Sequence, residues 1–402
     1  MNFIKKNNKM NIFNKLHGDF AFRILKKKIV YNFHKYCKDK IGHVLLYYKT
    51  DYFFLSRLIK KYYHTNNWEI FEMARILNRL GFWVDIIDRS IDLSKLELED
   101  KYDLFIGIGG GGSGKYYSDI ASQLKKPIKI LFTTTQETSV YNNALQKRYE
   151  YFSKRHFGKK LPYERMMKEI DKTKIINNVD VIFSIGNKYT MNTFEDYKKP
   201  IYRIYPSISP KIKFDLECFF KRSSKKFLYF GGNGNILKGL DLLIEVFSEL
   251  SDLELYICTV AKEEEFNLFY KDILSKSKNI HWLGSIRAGK EVFNKITSEC
   301  GYVVLPSSTE GAAVSVITCM RRGLIPIVTL EAGVDIEDFG YLIKDIQINS
   351  LKNQIETISK EAKDIFIKRS VKSCLNSFNY TQAKFSESFE KALINILIKN
   401  QI

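Results

Sequence analysis

The stretch GYVVLPSSTEGAAVSVITCMRRGLIPIVTLEAGVDIEDFG, residues 301–340, has the pattern of a strand, a short loop, a helix and a second strand. Its first apolar run ends at Pro306, which is typical of a buried parallel strand. Residues 309–313 are predicted to begin a helix that runs from Glu310 to Arg322. The first N–H groups of a helix have no partner inside it, so this helix start is a potential site for a phosphate or diphosphate. The apolar run Ile325 to Val328 then supplies the second strand.

The same alternation extends through most of the chain. From residue 42, short apolar runs alternate with amphipathic segments, which predicts parallel sheets covered by helices and an α/β fold. Because 402 residues exceed what one hydrophobic core usually supports, two domains are expected. The predicted strands are His43–Tyr48, Trp83–Ile87, Leu104–Ile108, Ile128–Phe132, Val181–Ser184 and Tyr202–Tyr205 in the first half, and Phe227–Phe230, Leu253–Cys258, Ile280–Leu283, Tyr302–Leu305 and Ile325–Val328 in the second.

A second glycine-containing loop lies in the segment FLYFGGNGNILKGLDLLIEVF, residues 227–247. Its strand ends in small residues whose backbone N–H groups can approach a phosphate, and Lys238 follows at the start of the next helix. The residues of this loop are Gly231, Gly232, Asn233 and Gly234. Together with the lysine they predict a diphosphate site. A tight strand-to-helix turn without a ligand is the alternative.

The segment PSSTEGAAVSVITCM resembles the donor site of family 4 glycosyltransferases, which are retaining enzymes of the GT-B fold. The family pattern is Glu, seven residues, Glu; the first carboxylate faces the donor sugar and the second binds the ribose hydroxyls. Here these positions are Glu310 and Thr318, and a threonine hydroxyl cannot bind both ribose hydroxyls as a carboxylate does. Lys238 matches the family's lysine, whereas the arginine usual five residues earlier is replaced by Asn233.

The resemblance covers residues 225–345 and implies the GT-B fold, with two Rossmann-like domains facing each other across a cleft. The expected domains are a basic segment 1–40, an acceptor-side domain 41–206, a nucleotide-sugar-binding domain 207–378 and a C-terminal helix 379–402 that packs toward the first domain.

The implied function is a retaining, metal-independent glycosyltransferase of the hexosyltransferase type that needs no cofactor. It would move a sugar from a nucleotide diphosphate sugar to a cell-envelope glycan or lipid-linked acceptor. Glu310 and Lys238 are the expected catalytic residues. The expected donor-binding residues are Gly231, Gly232, Asn233, Gly234, Gly311, Ala312, Ala313 and Thr318. A non-catalytic GT-B-like binding or scaffold protein is the alternative.

Other residues are candidates for contacts with the acceptor or the cleft. The run YDLFIGIGGGGSGKYYSDIA, residues 102–121, has P-loop spacing, but Tyr116 stands where a Ser or Thr would hold magnesium. Gly110 and Gly111 are therefore predicted to line the cleft rather than a nucleoside triphosphate site, and plain backbone packing is the alternative. His64 and Glu137 are predicted at the rim, with helix capping as the alternative role.

The chain has a formal net charge of +19, and much of it lies at the amino terminus. Residues 1–40 contain eleven Lys or Arg against two Asp, interleaved with aromatic and aliphatic residues. This composition suits a helix on an anionic membrane surface, and a solvated tail is the alternative. There is no recognised nucleic-acid-binding module, and nucleic acid is not expected as a partner.

Hydropathy and cysteine placement restrict the location and the metal chemistry. No apolar run reaches the length of a membrane span, and the first residues lack a secretory signal. The expected location is the cytoplasm, with peripheral attachment to the inner face of the membrane. The six cysteines are scattered and predict neither a metal site nor disulfides.

Overall fold

The computed structural model describes residues 28–54, 65–92, 98–109, 116–214 and 218–401. The chain divides into two compact units, Met1–Ile108 with Tyr116–Ile130 and Gly109–Lys115 with Leu131–Ile402. The domain boundaries expected at residues 40, 206 and 378 stay predictions.

The first sheet has seven strands in the order β1-β3-β2-β4-β5-β6-β7. Strands β2 and β4 are buried along their whole length, as near-continuous apolar runs predict for parallel strands. All six strands predicted here are confirmed to within one residue at each end. The strands are β1 Ile29–Phe33, β2 Gly42–Tyr48, β3 Phe82–Asp88, β4 Leu104–Ile108, β5 Ile128–Thr133, β6 Val181–Ile185 and β7 Ile201–Ile204.

Strand β1 changes the interpretation of the basic amino-terminal segment. Residues 29–33 were expected in a membrane-surface helix, but they form a strand that pairs antiparallel with β3, with Ile29 opposite Ile87. That part of the prediction is wrong: the run IVYNF is rich in β-branched and aromatic residues, which favour a strand, and it forms the edge of the sheet. Residues 1–27 lie outside the described residues, and a helix there stays a prediction. In the described ranges, no helix is both long and apolar enough to span a bilayer.

The second sheet has six strands in the order β10-β9-β8-β11-β12-β13, and neighbouring strands are parallel. The five predicted strands are confirmed, although β8 begins four residues before the predicted Phe227 and β13 was not predicted. The strands are β8 Ser223–Phe230, β9 Glu254–Cys258, β10 Ile280–Trp282, β11 Cys300–Leu305, β12 Ile325–Val328 and β13 Tyr341–Leu342.

Helices connect the strands of both sheets. They are α1 Asp51–Phe54, α2 Thr65–Arg79, α3 Tyr117–Ala121, α4 Thr138–Arg155, α5 Lys172–Ile176, α6 Lys188–Asn192, α7 Cys218–Lys221, α8 Leu240–Ser248, α9 Glu264–Lys276, α10 Glu291–Glu299, α11 Val314–Arg321, α12 Ile348–Ser359, α13 Lys363–Asn376 and α14 Gln382–Asn400. Short 3₁₀ turns occur at Glu195–Tyr197, Leu330–Ala332 and Ser377–Tyr380. The C-terminal helix α14 packs against the end of the first sheet, where Phe389 contacts Phe183 of β6 edge-to-face at 5.6 Å.

Candidate functional site

The two loops singled out in the sequence lie side by side. Strands β8 and β11 are adjacent and parallel, with Tyr302 opposite Phe227, so their carboxyl ends meet at one edge of the sheet. From these ends run the loop 231–239, which leads to α8, and the loop 306–313, which leads to α11. The Lys238 ammonium hydrogen-bonds the Glu310 carboxylate across the two loops. The two residues expected to be catalytic are therefore in direct contact.

The Lys238–Glu310 pair is largely removed from solvent, with side-chain exposures of 8% and 12%. Burial, with the Arg165 guanidinium as the second cause, lowers the pKa of Lys238 well below its ordinary value. An ammonium in such a place needs a negative partner, and Glu310 supplies it. A diphosphate could take the place of this carboxylate, because it offers more negative oxygens.

The backbone N–H groups of the glycine loop differ in their availability. Gly231 donates to the Cys258 carbonyl at 3.0 Å, and Gly234 donates to the Glu263 carboxylate at 2.6 Å. Gly232 and Asn233 are exposed, and their N–H groups have no partner among the described residues. Of the four predicted donors in this loop, these two are open to an anion.

Glu263 is a site residue that the sequence analysis missed. It lies immediately before α9, is 7% exposed, and accepts the N–H groups of both Gly234 and Asn235. Burial raises the pKa of Glu263, and the two N–H donors oppose that shift. Its only signal in the sequence is the run Glu263-Glu264-Glu265 after β9, which does not indicate which carboxylate turns inward.

The second loop differs from its prediction in one respect. Helix α11 begins at Val314 rather than Glu310, and the Ala313 N–H donates to the Ala332 carbonyl at 2.9 Å. Thr318 donates its hydroxyl to the Val314 carbonyl at 2.7 Å. Its hydrogen is thus used inside the helix, and its oxygen could only accept a bond from a nucleoside.

Close backbone packing at Gly311 explains the late helix start. A Cβ atom at Gly311 would overlap the carbonyl oxygen of Thr134. The Gly311 carbonyl accepts the Thr190 hydroxyl at 2.9 Å. These contacts hold the Gly311 backbone in place, and among the described residues no N–H of α11 donates to its carbonyl, so residues 310–313 lie outside the helix.

Helix α4 braces both loops. Arg148 donates to the carbonyl of Pro306 at 2.8 Å, and a Cβ atom at Gly239 would lie 2.8 Å from its guanidinium. Two turns further along α4, Arg155 bonds Asp241 at 2.6 Å and Glu245 at 2.9 Å, both on α8. These contacts fix the ends of the two loops relative to each other, which positions Lys238 and Glu310.

Of the four acceptor or cleft candidates, only Glu137 lies within the described residues. Glu137 caps α4: its carboxylate accepts the N–H of Ser139 at 2.8 Å and that of Val140 at 3.2 Å, and Tyr197 donates to it at 3.3 Å. This is the capping role that was the alternative for Glu137. His64, Gly110 and Gly111 lie outside the described residues. Within the described part of the chain, no three His, Cys, Asp or Glu side chains form a group that could hold a metal ion.

A family model matches the part of the chain that carries both loops. Residues 213–369, less than half of the chain, match the family described as "Glycosyl transferases group 1". No curated protein matches the chain.

Solved structures resemble nearly the whole chain. Sucrose-phosphate synthase from Thermosynechococcus elongatus has a TM-score of 0.61 at 11% identity, covering 89% of this chain and 100% of the other. HepE from Anabaena, in complex with UDP and glucose, has a TM-score of 0.58 at 10% identity, covering 88% and 100%. The apo form of the lipopolysaccharide outer core galactosyltransferase WaaB has a TM-score of 0.55 at 11% identity, covering 89% and 100%. At these identities the likeness shows the fold, which is GT-B, as predicted.

Proposed function

We propose that this chain is a retaining glycosyltransferase of the hexosyltransferase type. It moves a sugar from a nucleotide diphosphate sugar to a hydroxyl of a cell-envelope glycan or lipid-linked acceptor, in polysaccharide biosynthesis, without a metal or cofactor. The observation that carries the proposal is the contact of Lys238 with Glu310, which brings together the two motifs of the family resemblance. The family match over residues 213–369 and the UDP bound to the similar HepE support it.

Each group has a defined task in this proposal. When the bond between the anomeric carbon and the diphosphate breaks, negative charge grows on the leaving oxygens. Lys238 and the exposed N–H groups of Gly232 and Asn233 stabilise that charge. Glu310, released from Lys238 by the incoming diphosphate, accepts hydrogen bonds from the sugar hydroxyls. Thr318 accepts one bond from the nucleoside.

A panel of donors tests the proposal. Purified protein is incubated with UDP, GDP and ADP sugars, and release of the nucleoside diphosphate is measured with and without membrane lipid extract. Release from at least one donor, stimulated by the extract, is expected. If no donor is bound or turned over, the non-catalytic scaffold becomes the better description. That alternative is favoured by Asn233 and Thr318, where the resemblance has an arginine and a second glutamate.

We also propose that the protein is cytoplasmic and attaches to an anionic membrane surface through its basic amino-terminal segment. Because residues 29–33 belong to β1, the truncation that tests this must end at residue 27. The full chain is expected to float with vesicles containing about 30% anionic lipid and to dissociate at high salt, since each cation near the surface contributes about 1 kcal/mol.

A second variant, the full chain with Lys5, Lys6 and Lys9 changed to glutamine, separates the effect of charge from that of apolar residues. It keeps every apolar residue, so weaker flotation would isolate the charge. Equal flotation of the full chain and the chain without residues 1–27 would remove the proposed role of the segment.

A further inference from the structure

Arg165 lies against the glycine loop although it is far from it in sequence. Its guanidinium is 3.5 Å from the Asn233 carbonyl oxygen. Gly234 adopts φ +93°, and a Cβ atom there would lie 3.0 Å from Arg165 Cδ. The arginine side chain therefore packs against residues 233 and 234 of the loop, next to the open N–H groups of Gly232 and Asn233.

The backbone holds Arg165 in an unfavourable conformation. Its φ of +66° lies in the left-handed region, which costs a non-glycine residue free energy. Hydrogen bonds on both sides maintain it. The Glu164 N–H donates to the Tyr149 hydroxyl at 2.9 Å, and Met167 exchanges two bonds with the Asn142 side chain, at 3.0 and 2.9 Å. Both partners belong to α4, the helix that braces the two loops.

The Arg165 guanidinium lies near the Glu263 carboxylate electrostatically but forms no direct ion pair with it. Among the described residues it has no ion-pair partner, and its side chain is exposed. Its positive charge lowers the pKa of Lys238 and opposes the rise in the pKa of Glu263, so it acts on both side chains of the site. A cation beside a loop with open backbone N–H groups, in addition to Lys238, is an arrangement suited to a diphosphate.

We propose that Arg165 supplies the guanidinium that position 233 lacks, and that it binds the diphosphate of the donor together with Lys238. This inference rests on the proposed function and deepens it. An arginine presents a planar fork of donors that lysine cannot copy. Arg165, in the loop before α5, would thus take the role that an arginine at position 233 of the glycine loop has in the family resemblance.

Arg165→Gly is the sharpest test, because glycine accepts the positive φ and the fold is spared. Binding of UDP, GDP, ADP and inorganic pyrophosphate is measured by calorimetry. The thermal midpoint should stay the same or rise. For the tightest diphosphate the dissociation constant should rise about tenfold to a hundredfold. Lys168→Gly, an exposed cation of the same segment, is the matched control and should change it less than twofold.

A second experiment places an arginine at position 233. Asn233→Arg in the Arg165→Gly background should recover most of the lost affinity, and Arg165→Lys should recover only part. If Arg165→Gly binds diphosphates as tightly as Lys168→Gly, the role of Arg165 is refuted while the donor site stands. If the unmodified protein binds none of the four probes, the proposed function itself fails.

Discussion

Lys238→Ala is expected to lower kcat/KM for the best donor by about 10²- to 10³-fold, as loss of one preorganised charge donor does at other sites of charge development. The loss should appear mainly in kcat, since the charge that Lys238 stabilises grows as the leaving group departs. Steady-state rates of nucleoside diphosphate release measure it. Lys271→Ala, on an exposed position of α9, is the matched control and should change the rate less than twofold.

Glu310→Gln should separate binding from turnover. Glu310 neutralises Lys238 in the buried pair, so removing its charge leaves the ammonium open to a diphosphate. Affinity for the nucleoside diphosphate should be unchanged or higher, while turnover falls because the sugar hydroxyls lose their acceptor. A Glu310→Gln variant that turns over the donor at the normal rate would contradict the proposed role of this carboxylate.

Loss of activity in Lys238→Ala must be distinguished from loss of structure. Breaking a buried ion pair leaves an uncompensated charge and costs about 3 to 5 kcal/mol, whereas removing both charges is far milder. Lys238→Met combined with Glu310→Gln should therefore unfold near the temperature of the unmodified protein and still be inactive. If Lys238→Ala keeps turnover within about threefold, the lysine is not the charge donor we propose.

The strands were predictable because they depend on local sequence, whereas the meeting of the two motifs was expected from the family resemblance. Buried parallel strands are nearly continuous apolar runs, and Leu104–Ile108 and Ile325–Val328 were predicted to the residue. The glycine loop and Glu310 each follow such a strand. Parallel neighbours bring the carboxyl ends of their strands to one edge, which places the two loops together.

The remaining features depend on contacts between distant residues. Gly311 delays α11 because Thr134 and Thr190 pack against it, and nothing near residue 311 in the sequence reports their presence. Arg165 approaches the glycine loop from 68 residues away. The basic composition around it was visible, but composition does not indicate which cation reaches the loop. Strand β1 was missed because the lysines that flank it made the whole segment 1–40 resemble a membrane-surface helix.

Gly333→Ala is expected to disrupt the loop that carries Glu310, and Gly284→Ala provides a closely matched control. The two glycines have nearly equal φ values, +70° and +74°. An alanine at either position incurs the same left-handed strain, on the order of 1 kcal/mol. At Gly284 a Cβ atom meets nothing within 4 Å, whereas at Gly333 it would overlap the Gly311 carbonyl oxygen and lie 2.7 Å from its carbon.

The difference between the two variants therefore measures the packing of Gly333 against Gly311. Gly333→Ala should lose roughly 1 to 3 kcal/mol of stability beyond the loss in Gly284→Ala, in line with the cost of overpacking elsewhere. Because the Gly311 backbone must move to relieve the overlap, Glu310 moves with it, and turnover should fall at least tenfold. Urea unfolding and donor turnover are measured on both variants. Equal losses in the two would mean that residues 310–313 shift without cost, and that the close contact with Gly333 does not hold Glu310 in place.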